Sequence, residues 1–252
     1  MKIVVCVKQV PSSNERFIDP ATGGVIREGI ASILNPFDAH AVEEALRIKR
    51  RVGGRITALS MGVPSVQDTL RRLLALGVDE AYLLSDPAFA GADTLATSYA
   101  LAQAIQKLGG ADVILCGRMA TDGDTAQVGP MLAETLGINH ITDVSRIDDI
   151  YDDSIIITHQ TDDGYSCVRI PTPALITVTK EINVPRLPSI NGVLRSRTQT
   201  VTVWHATDIA ADLERVGTRG SATRVIKTTR PEPKTGCRIL NNPIELLGEL
   251  GL

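Results

Sequence analysis

A loop of small and polar residues, Arg118–Thr125, carries the groups in this chain that are best suited to bind a charged ligand. A short apolar run, Val113–Cys116, precedes it and is typical of a buried strand in a parallel sheet. Apolar residues at helical spacing follow it, and Gly137 fits as the stop signal of that helix. Unpaired N–H groups in a first helical turn attract negative charge, so this strand, loop and helix predict an anion-binding cradle.

The residues within the loop leave two interpretations open. Gly123 lets the backbone approach a ligand closely, and Thr125 can donate its hydroxyl. Asp122 and Asp124 are unfavourable beside a phosphate, but an acid suits a ribose diol or a helix N-cap. In the alternative, Asp124 or Thr125 merely caps the helix and Asp122 is solvated. The spacing of the residues does not decide between these two interpretations. It does exclude a Walker loop, because no Gly-Lys-Ser/Thr follows. It also excludes a GxGxxG motif, because the glycines lie too far apart.

Alternating strands and helices are predicted to position this loop. The predicted strands are Lys2–Val7, Arg55–Met61, Glu80–Leu84 and Val113–Cys116. The predicted helices are one from Asp38, as N-cap, to about Arg51, one from Ser65, as N-cap, to Leu76, and one over Thr94–Leu108. Such alternation favours right-handed βαβ units. The sequence therefore predicts a Rossmann-like, three-layer α/β/α fold with a mainly parallel sheet.

Four separate pieces of the sequence converge on one edge of that sheet. Cys6, the turn Asn35–Asp38, Met61 and the stretch 118–130 all lie at strand ends or ahead of helices. Segment 32–37 is predicted to be a loop, because a residue before a proline avoids the helical region. Ligands of open α/β sheets bind at the carboxyl ends of the strands, so we expect one crevice there.

The second half of the chain has a different pattern. Strands Ser154–Thr158 and Tyr165–Ile170 flank Asp-Asp-Gly, which predicts a hairpin and hence a small antiparallel extension of the sheet. Further predictions are a strand at Ala174–Val178, an exposed loop at Ile182–Gln199, a short strand at Thr200–Trp204, a brief helix at Asp208–Leu213, a basic irregular tail at Val216–Arg238 and a last helix at Asn242–Leu252. The tail has too few apolar residues to pack on itself.

Composition excludes several classes of protein. The 252 residues have 43% hydrophobic content and a net charge of −3, which fits a globular protein and argues against binding to nucleic-acid phosphates. The four cysteines include no CxxC pair, and the four histidines form no ligand pair, so no metal centre is predicted. Met1 leads directly into a strand, without a signal peptide or a membrane-length apolar run, so a cytoplasmic location is expected.

Three motifs then point to a known family. Residues 122–130, DGDTAQVGP, closely resemble the adenine-nucleotide loop of the electron transfer flavoprotein β subunit. Residues 7–11, VKQVP, and 35–45, NPFDAHAVEEA, resemble two other motifs of that family, in the same order. The resemblance covers most of the chain, which is identified as a member of that family. It implies that the chemistry belongs to a bound flavin, which the protein binds and orients; no catalytic acid, base or nucleophile is predicted.

The resemblance also assigns roles along the chain. Residues 1–215 would form the nucleotide-binding domain, and 216–252 an arm that packs on the α subunit. Leu187 and Ile190 would recognise partner dehydrogenases, although a leucine usually stands where Ile190 falls. The residues expected around the nucleotide are Cys6, Asn35, Pro36, Phe37, Asp38, Met61, Met119, Ala120, Thr121, Asp122, Gly123, Asp124, Thr125, Ala126, Gln127, Val128, Gly129 and Pro130.

Three functions compete. An ordinary β subunit would hold AMP as a structural ligand, while the redox FAD lies mainly on the α subunit. An electron-bifurcating β subunit would hold the AMP half of a second FAD, whose flavin accepts hydride from NADH. Its electrons would pass to ferredoxin or flavodoxin and, through the α-subunit FAD, to an acyl-CoA dehydrogenase-type partner. A lone nucleotide sensor would need neither the 182–199 loop nor the basic tail.

The loop favours the bifurcating type. Ordinary members resemble D-D-D-x-N-Q-T-G, whereas this chain has Gly123 in place of the second acid. Loss of that charge removes repulsion against a longer diphosphate, and glycine leaves room for it. The nitrogen-fixation branch carries similar loops, so quinone-reducing partners remain an alternative.

Overall fold

A computed structural model describes residues 1–12, 17–18, 25–26, 32–226 and 247. It divides into two compact units, one formed by Met1–Glu15 with Glu28–Arg224 and the other by Arg16–Arg27 with Val225–Leu252. In the second unit, strands β3 (Phe17–Ile18) and β4 (Val25–Ile26) form a short antiparallel pair. The remaining elements described here belong to the first unit.

The first unit alternates strands and helices over its first half. Strands β1 (Lys2–Cys6), β2 (Gln9–Pro11) and β5 (Ser32–Leu34) lead to helix α1 (Pro36–Val52). They are followed by β6 (Arg55–Met61), α2 (Val66–Leu76), β7 (Glu80–Leu84), α3 (Thr94–Lys107), β8 (Val113–Gly117) and α4 (Val128–Leu136). The second half contains β9 (Asn139–Ile150), β10 (Ser154–Thr161), β11 (Gly164–Pro171), β12 (Ala174–Val178), α5 (Ile190–Ser196), β13 (Val201–Trp204) and α6 (Gly217–Gly220).

Within the described chain, the main sheet has nine strands in the order β11-β10-β9-β12-β8-β1-β6-β7-β13. The strands from β9 to β13 in that order are parallel, and β10 joins both β9 and β11 antiparallel. The predicted mainly parallel sheet with an antiparallel extension is therefore confirmed. Strand β1 is the middle one of the seven parallel strands and pairs with β6 and β8.

Helices cover both faces of the sheet, which confirms three layers. Along β1, Ile3 and Val5 enter the core beneath α1 and α2, whereas Val4 and Cys6 enter the core beneath α3 and α4. This alternation follows from the two-residue period of a strand. The helices α1 and α2 bury one apolar stripe each, as their predicted spacing requires.

Several local predictions were wrong. Asp38 is not the N-cap of α1, because Pro36 occupies the first turn and Asn35 the cap position. Segment 32–34 forms strand β5 against β2 instead of a loop. The predicted loop at 182–199 contains helix α5. No α-helix forms at Asp208–Leu213, where Asp208 closes a turn by accepting from the N–H of His205 at 2.7 Å and Leu213 begins a short 3-10 helix.

The last part of the chain is described only in part. The predicted irregular tail includes the short helix α6 and otherwise has irregular backbone as far as Ile226. Its remainder lies outside the described residues, as does the predicted last helix except for Leu247, which has helical conformation. None of the described helices is long and apolar enough to cross a membrane.

Candidate nucleotide-binding crevice

The start of α1 is tied directly to the loop that follows β8. Asn35 is 1% exposed, and its side-chain amide does not cap its own helix. Instead, Asn35 Nδ2 donates to the carbonyl of Met119 at 2.9 Å, and Asn35 Oδ1 accepts from the N–H of Thr121 at 3.2 Å. One amide thus joins two of the predicted site segments across 86 residues of sequence.

Asp38 holds the ends of β1 and β8 together beneath this bridge. Its carboxylate accepts from the N–H of Lys8 at 2.7 Å and from the N–H of Gly117 at 3.2 Å. Burial raises the pKa of Asp38 to about 7, and these hydrogen bonds only partly oppose that shift. Gly117 has no room for a side chain, because a Cβ there would overlap Asp38 and Phe37. Asp38 and Phe37 therefore form the floor of the predicted crevice.

The loop itself is mostly exposed, and its two acids, Asp122 and Asp124, have different surroundings. Asp122 is not simply solvated, because Lys8 Nζ lies 2.7 Å from its Oδ1. Asp124 and Ala126 have φ angles of 53° and 54°, a left-handed conformation that is unusual for residues other than glycine. Such strained backbone concentrates at functional sites.

The capping interpretation of Asp124 and Thr125 is wrong, because α4 begins only at Val128. Gln127 occupies the N-cap position without a side-chain capping bond, and its Oε1 accepts from Thr94 Oγ1 at 3.1 Å. Within the described part of the chain, the N–H groups of Thr125, Ala126 and Gln127 donate to no protein acceptor. These donors lie immediately before the helix, where the dipole favours an anion.

Two glycines of the predicted site, Gly123 in the loop and Gly129 in α4, differ sharply in their surroundings. A Cβ at Gly129 would meet Thr177 Cγ2 at 2.5 Å, so glycine there allows α4 to pack on β12. A Cβ at Gly123 would meet nothing within 4 Å, and Gly123 does not have a positive φ. Gly123 is thus not required by the fold of the described chain.

The predicted residues that the structure places below the loop are mainly apolar. Cys6 and Cys116 are opposite each other on β1 and β8, and both thiols are free and buried. Hydrogen bonding to Cys6, and then burial, raises the pKa of Cys116, so it is an unreactive core thiol. Met61, at the end of β6, packs on the same core. The sequence interpretation missed Lys8 as a site residue, although its position just after β1 was available as a signal.

The segment that contains Leu187 and Ile190 lies on another part of the first unit. The two side chains are 89% and 82% exposed, respectively. Between them, Ser189 Oγ accepts from the N–H of Gly192 and caps α5. Nothing in the sequence pattern indicated that Arg186, beside Leu187, would bind Glu43 of α1.

Comparison with known proteins places this chain in one family. The model for the electron transfer flavoprotein domain matches residues 22–209. The electron transfer flavoprotein subunit beta of Thermoanaerobacterium thermosaccharolyticum is 46% identical over 246 residues, covering 97% of this chain and 94% of that protein. The chain belongs to the electron transfer flavoprotein β-subunit family.

Other members of the family carry more specific names. The caffeyl-CoA reductase-Etf complex subunit CarD of Acetobacterium woodii is 46% identical over 237 residues, with 94% of this chain and 90% of that protein covered. The protein FixA of Azorhizobium caulinodans is 41% identical over 241 residues, with 93% and 86% covered. Membership confirms a role in electron transfer and the resemblance drawn from the three motifs.

Proposed function

We propose that this protein is the β subunit of a heterodimeric electron transfer flavoprotein and that its crevice binds the adenine-nucleotide part of a cofactor. The observation that carries this proposal is the Asn35 bridge, which holds the start of α1 against the loop at Met119 and Thr121. Family membership supplies the class of ligand, and the bridge supplies a fixed frame for it.

The chemistry of the loop fits such a ligand. The backbone N–H groups of residues 125–127 are available as donors, and the space around Gly123 is open. Asp122 would repel a phosphate, but Lys8 neutralises it at 2.7 Å. We therefore assign residues 121–129 to the phosphates, with Asn35–Asp38 and Cys6 closer to the adenine and ribose.

We assign FAD, not AMP, to this crevice, as in the electron-bifurcating type. When bound, FAD supplies the redox chemistry, with NADH as the hydride donor. The support is Gly123 in place of an acid, together with similarity to a subunit of the caffeyl-CoA reductase-Etf complex. The protein's own residues position the nucleotide and leave room for its diphosphate. The alternative is an ordinary β subunit with AMP, which shuttles electrons between dehydrogenases and a quinone reductase.

The proposal includes several partners. Residues 216–252 would pack on the α subunit, and Leu187 with Ile190 would recognise an acyl-CoA dehydrogenase-type flavoenzyme. Ferredoxin or flavodoxin would accept the second electron. The exposure of Leu187 and Ile190 supports the recognition role, since apolar side chains so exposed are available to a partner surface. All these reactions are expected in the cytoplasm.

One experiment separates the two types. The heterodimer is co-purified, saturated with FAD, and its nucleotides are released and identified, while the flavin spectrum is followed on addition of NADH. The bifurcating type predicts two FAD per heterodimer and bleaching of flavin by NADH. One FAD with one AMP, and no reduction by NADH, would leave the ordinary type. Absence of any adenine nucleotide from the β subunit would contradict the crevice assignment itself.

A further inference from the structure

In the segment that leads into α5, every third residue is anchored by hydrogen bonds and the residue after it is exposed. Asn183, Arg186 and Ser189 hold the segment or the helix that follows it, whereas the next residue in each case, Val184, Leu187 or Ile190, is 82–89% exposed. Prolines at 185 and 188 separate these pairs. A three-residue period is that of the polyproline II helix, and Ser189 has the corresponding φ of −76° and ψ of 157°.

The sequence restricts much of this backbone before any tertiary contact forms. Each proline fixes its own φ, and the residues before them, Val184 and Leu187, are confined to extended conformations. The exposed side chains therefore form a ridge, Val184–Leu187–Ile190. Chain stiffness alone does not fix where that ridge lies on the body of the protein.

Glu43 of α1 fixes the middle of the ridge. Its carboxylate accepts from Arg186 Nε at 2.7 Å and from Arg186 Nη2 at 2.8 Å. The backbone N–H of Arg186 donates to the same carboxylate at 3.2 Å. Three bonds from one residue to one carboxylate fix both the side chain and the main chain next to Leu187. The planar guanidinium fits this two-pronged geometry, which a lysine could not reproduce.

Apolar packing beneath the segment is incomplete. Pro185 and Pro188 lie beside an open pocket whose other walls include Leu34, Val42, Leu46 and Leu76. Glu43, which is 6% exposed, also lines this pocket. The polar contact to Arg186 is thus the principal attachment at the centre of the ridge, between Asn183 at one end and the capped helix α5 at the other.

We infer that Glu43 is a positioning residue for partner recognition: through Arg186 it holds the Val184–Leu187–Ile190 ridge in the conformation that an acyl-CoA dehydrogenase-type partner binds. The inference rests on the proposed recognition role of Leu187 and Ile190. An ordered ridge would meet its partner without first losing conformational entropy. Loss of the Glu43 contact should therefore weaken docking without changing the cofactor or the electron-transfer step.

The first measurement needs no partner. A nitroxide label is placed at Leu187→Cys in a Cys167→Ser, Cys237→Ser background, since Cys167 is exposed and the other described cysteines are buried. Glu43→Gln should increase the mobility of the label. Lys49→Gln is the matched control, because it removes an ion pair of the same helix, to Asp79 at 2.5 Å, that does not touch the ridge.

The second measurement uses the heterodimer with a purified acyl-CoA dehydrogenase as the probe. Glu43→Gln should raise the KM for the dehydrogenase roughly tenfold, with kcat and FAD content unchanged, because docking and not electron transfer is impaired. Lys49→Gln should leave the KM unchanged. Leu187→Ala tests the underlying role. An unchanged KM in Leu187→Ala would overturn the recognition role itself, and with it this inference. A raised KM in Leu187→Ala with either readout of Glu43→Gln unaltered would overturn the inference alone.

Discussion

Helix α1 carries three buried carboxylates, of which Asp38 and Glu43 are stabilised in opposite ways. Asp38 and Glu43 are each 6% exposed. Asp38 faces the crevice and accepts two backbone N–H groups, and burial raises its pKa to about 7. Glu43 faces the ridge, where burial would raise its pKa, but the bonds and charge of Arg186 outweigh it and the pKa is lowered.

This difference shows how one helix serves two sites. The ammonium of Lys8 binds Asp122 in the loop, and Asp38 meets the ends of β1 and β8 through neutral backbone donors. At the ridge, the attachment is a charge pair that raises the pKa of Arg186 as well. The crevice floor is thus held by a largely uncharged network, and the ridge by a charged one. The two should respond to pH with opposite signs.

The largest effect is expected from the pH dependence that Asp38 imposes. Its pKa is raised from 3.8 to about 7, so the folded chain retains a proton that the unfolded chain releases between these values. Stability should therefore fall as pH rises from about 4 to about 7, by about 4 kcal/mol, and should then level off. Asp38→Asn should remove most of this slope in urea denaturation curves measured across that range, and a smaller slope of the same sign should remain from Glu44, whose pKa burial also raises.

Asp86→Asn is the matched control for Asp38. Asp86 also accepts two backbone N–H groups, from Ala88 at 2.9 Å and from Ala206 at 3.0 Å. The bond from Ala88 is the main reason that the pKa of Asp86 is lowered, so the contribution of Asp86 to the stability of the fold is lost on acidification. A pH slope in Asp38→Asn that matches the unsubstituted protein would show that Asp38 is charged throughout.

The second effect comes from Gly117, where the crevice floor has no spare volume. Gly117→Ala would push a Cβ into Asp38 and into the backbone of Phe37, which cannot move without shifting the start of α1. We expect a loss of about 2–3 kcal/mol in the free energy of unfolding. Gly123→Ala is the control, because its Cβ would meet nothing and its φ is ordinary. Equal stability of the two variants would contradict the tight floor.

The crevice and the ridge also show which parts of the structure can be predicted from the sequence and which cannot. Strands β6, β7 and β12 match their predicted bounds, because continuous apolar runs between turn residues leave few alternatives. The meeting of the start of α1 with the ends of β1 and β8 was predicted because parallel strands bring their carboxyl ends together. Strand β9 was missed because only two of its residues, Val144 and Ile147, are buried, so it shows no apolar run.

Polar contacts between residues far apart in the sequence are the other feature that could not be predicted. Asp38 is a residue type that is common at N-caps. The backbone N–H groups that donate to its carboxylate, those of Lys8 and Gly117, lie 30 and 79 residues away in the sequence. The bond between Arg186 and Glu43 spans 143 residues. Local patterns carry no information about such pairs. Helix α5 was missed because it has only seven residues and follows two prolines, so it shows no helical period.

A third, smaller effect should distinguish the ridge from the crevice. The pKa of Glu43 is lowered by Arg186, so its contribution to stability is present at neutral pH and is lost as pH falls through that pKa. Glu43→Gln should cost roughly 1.5 kcal/mol at pH 7, and urea denaturation should show this cost shrinking as the pH is lowered below 4.5, the ordinary pKa of the group. A constant difference between pH 7 and pH 3 would mean that Glu43 acts through its size and not through its charge.

The last prediction concerns the loop, where we expect an effect on binding and none on stability. A Cβ at Gly123 would meet nothing within 4 Å, and the ordinary φ imposes no strain, so we expect Gly123→Val to change the free energy of unfolding by less than about 0.5 kcal/mol. In the proposed complex, the same side chain would occupy space that the diphosphate needs. Gly123→Val should therefore lower nucleotide affinity roughly tenfold in equilibrium dialysis of the heterodimer. Gly123→Ala, which adds only a Cβ at the same position, is the graded control and should lower the affinity less. Unchanged FAD affinity in Gly123→Val would remove the diphosphate from this part of the loop, and a large loss of stability would mean that Gly123 has a structural role beyond the described contacts.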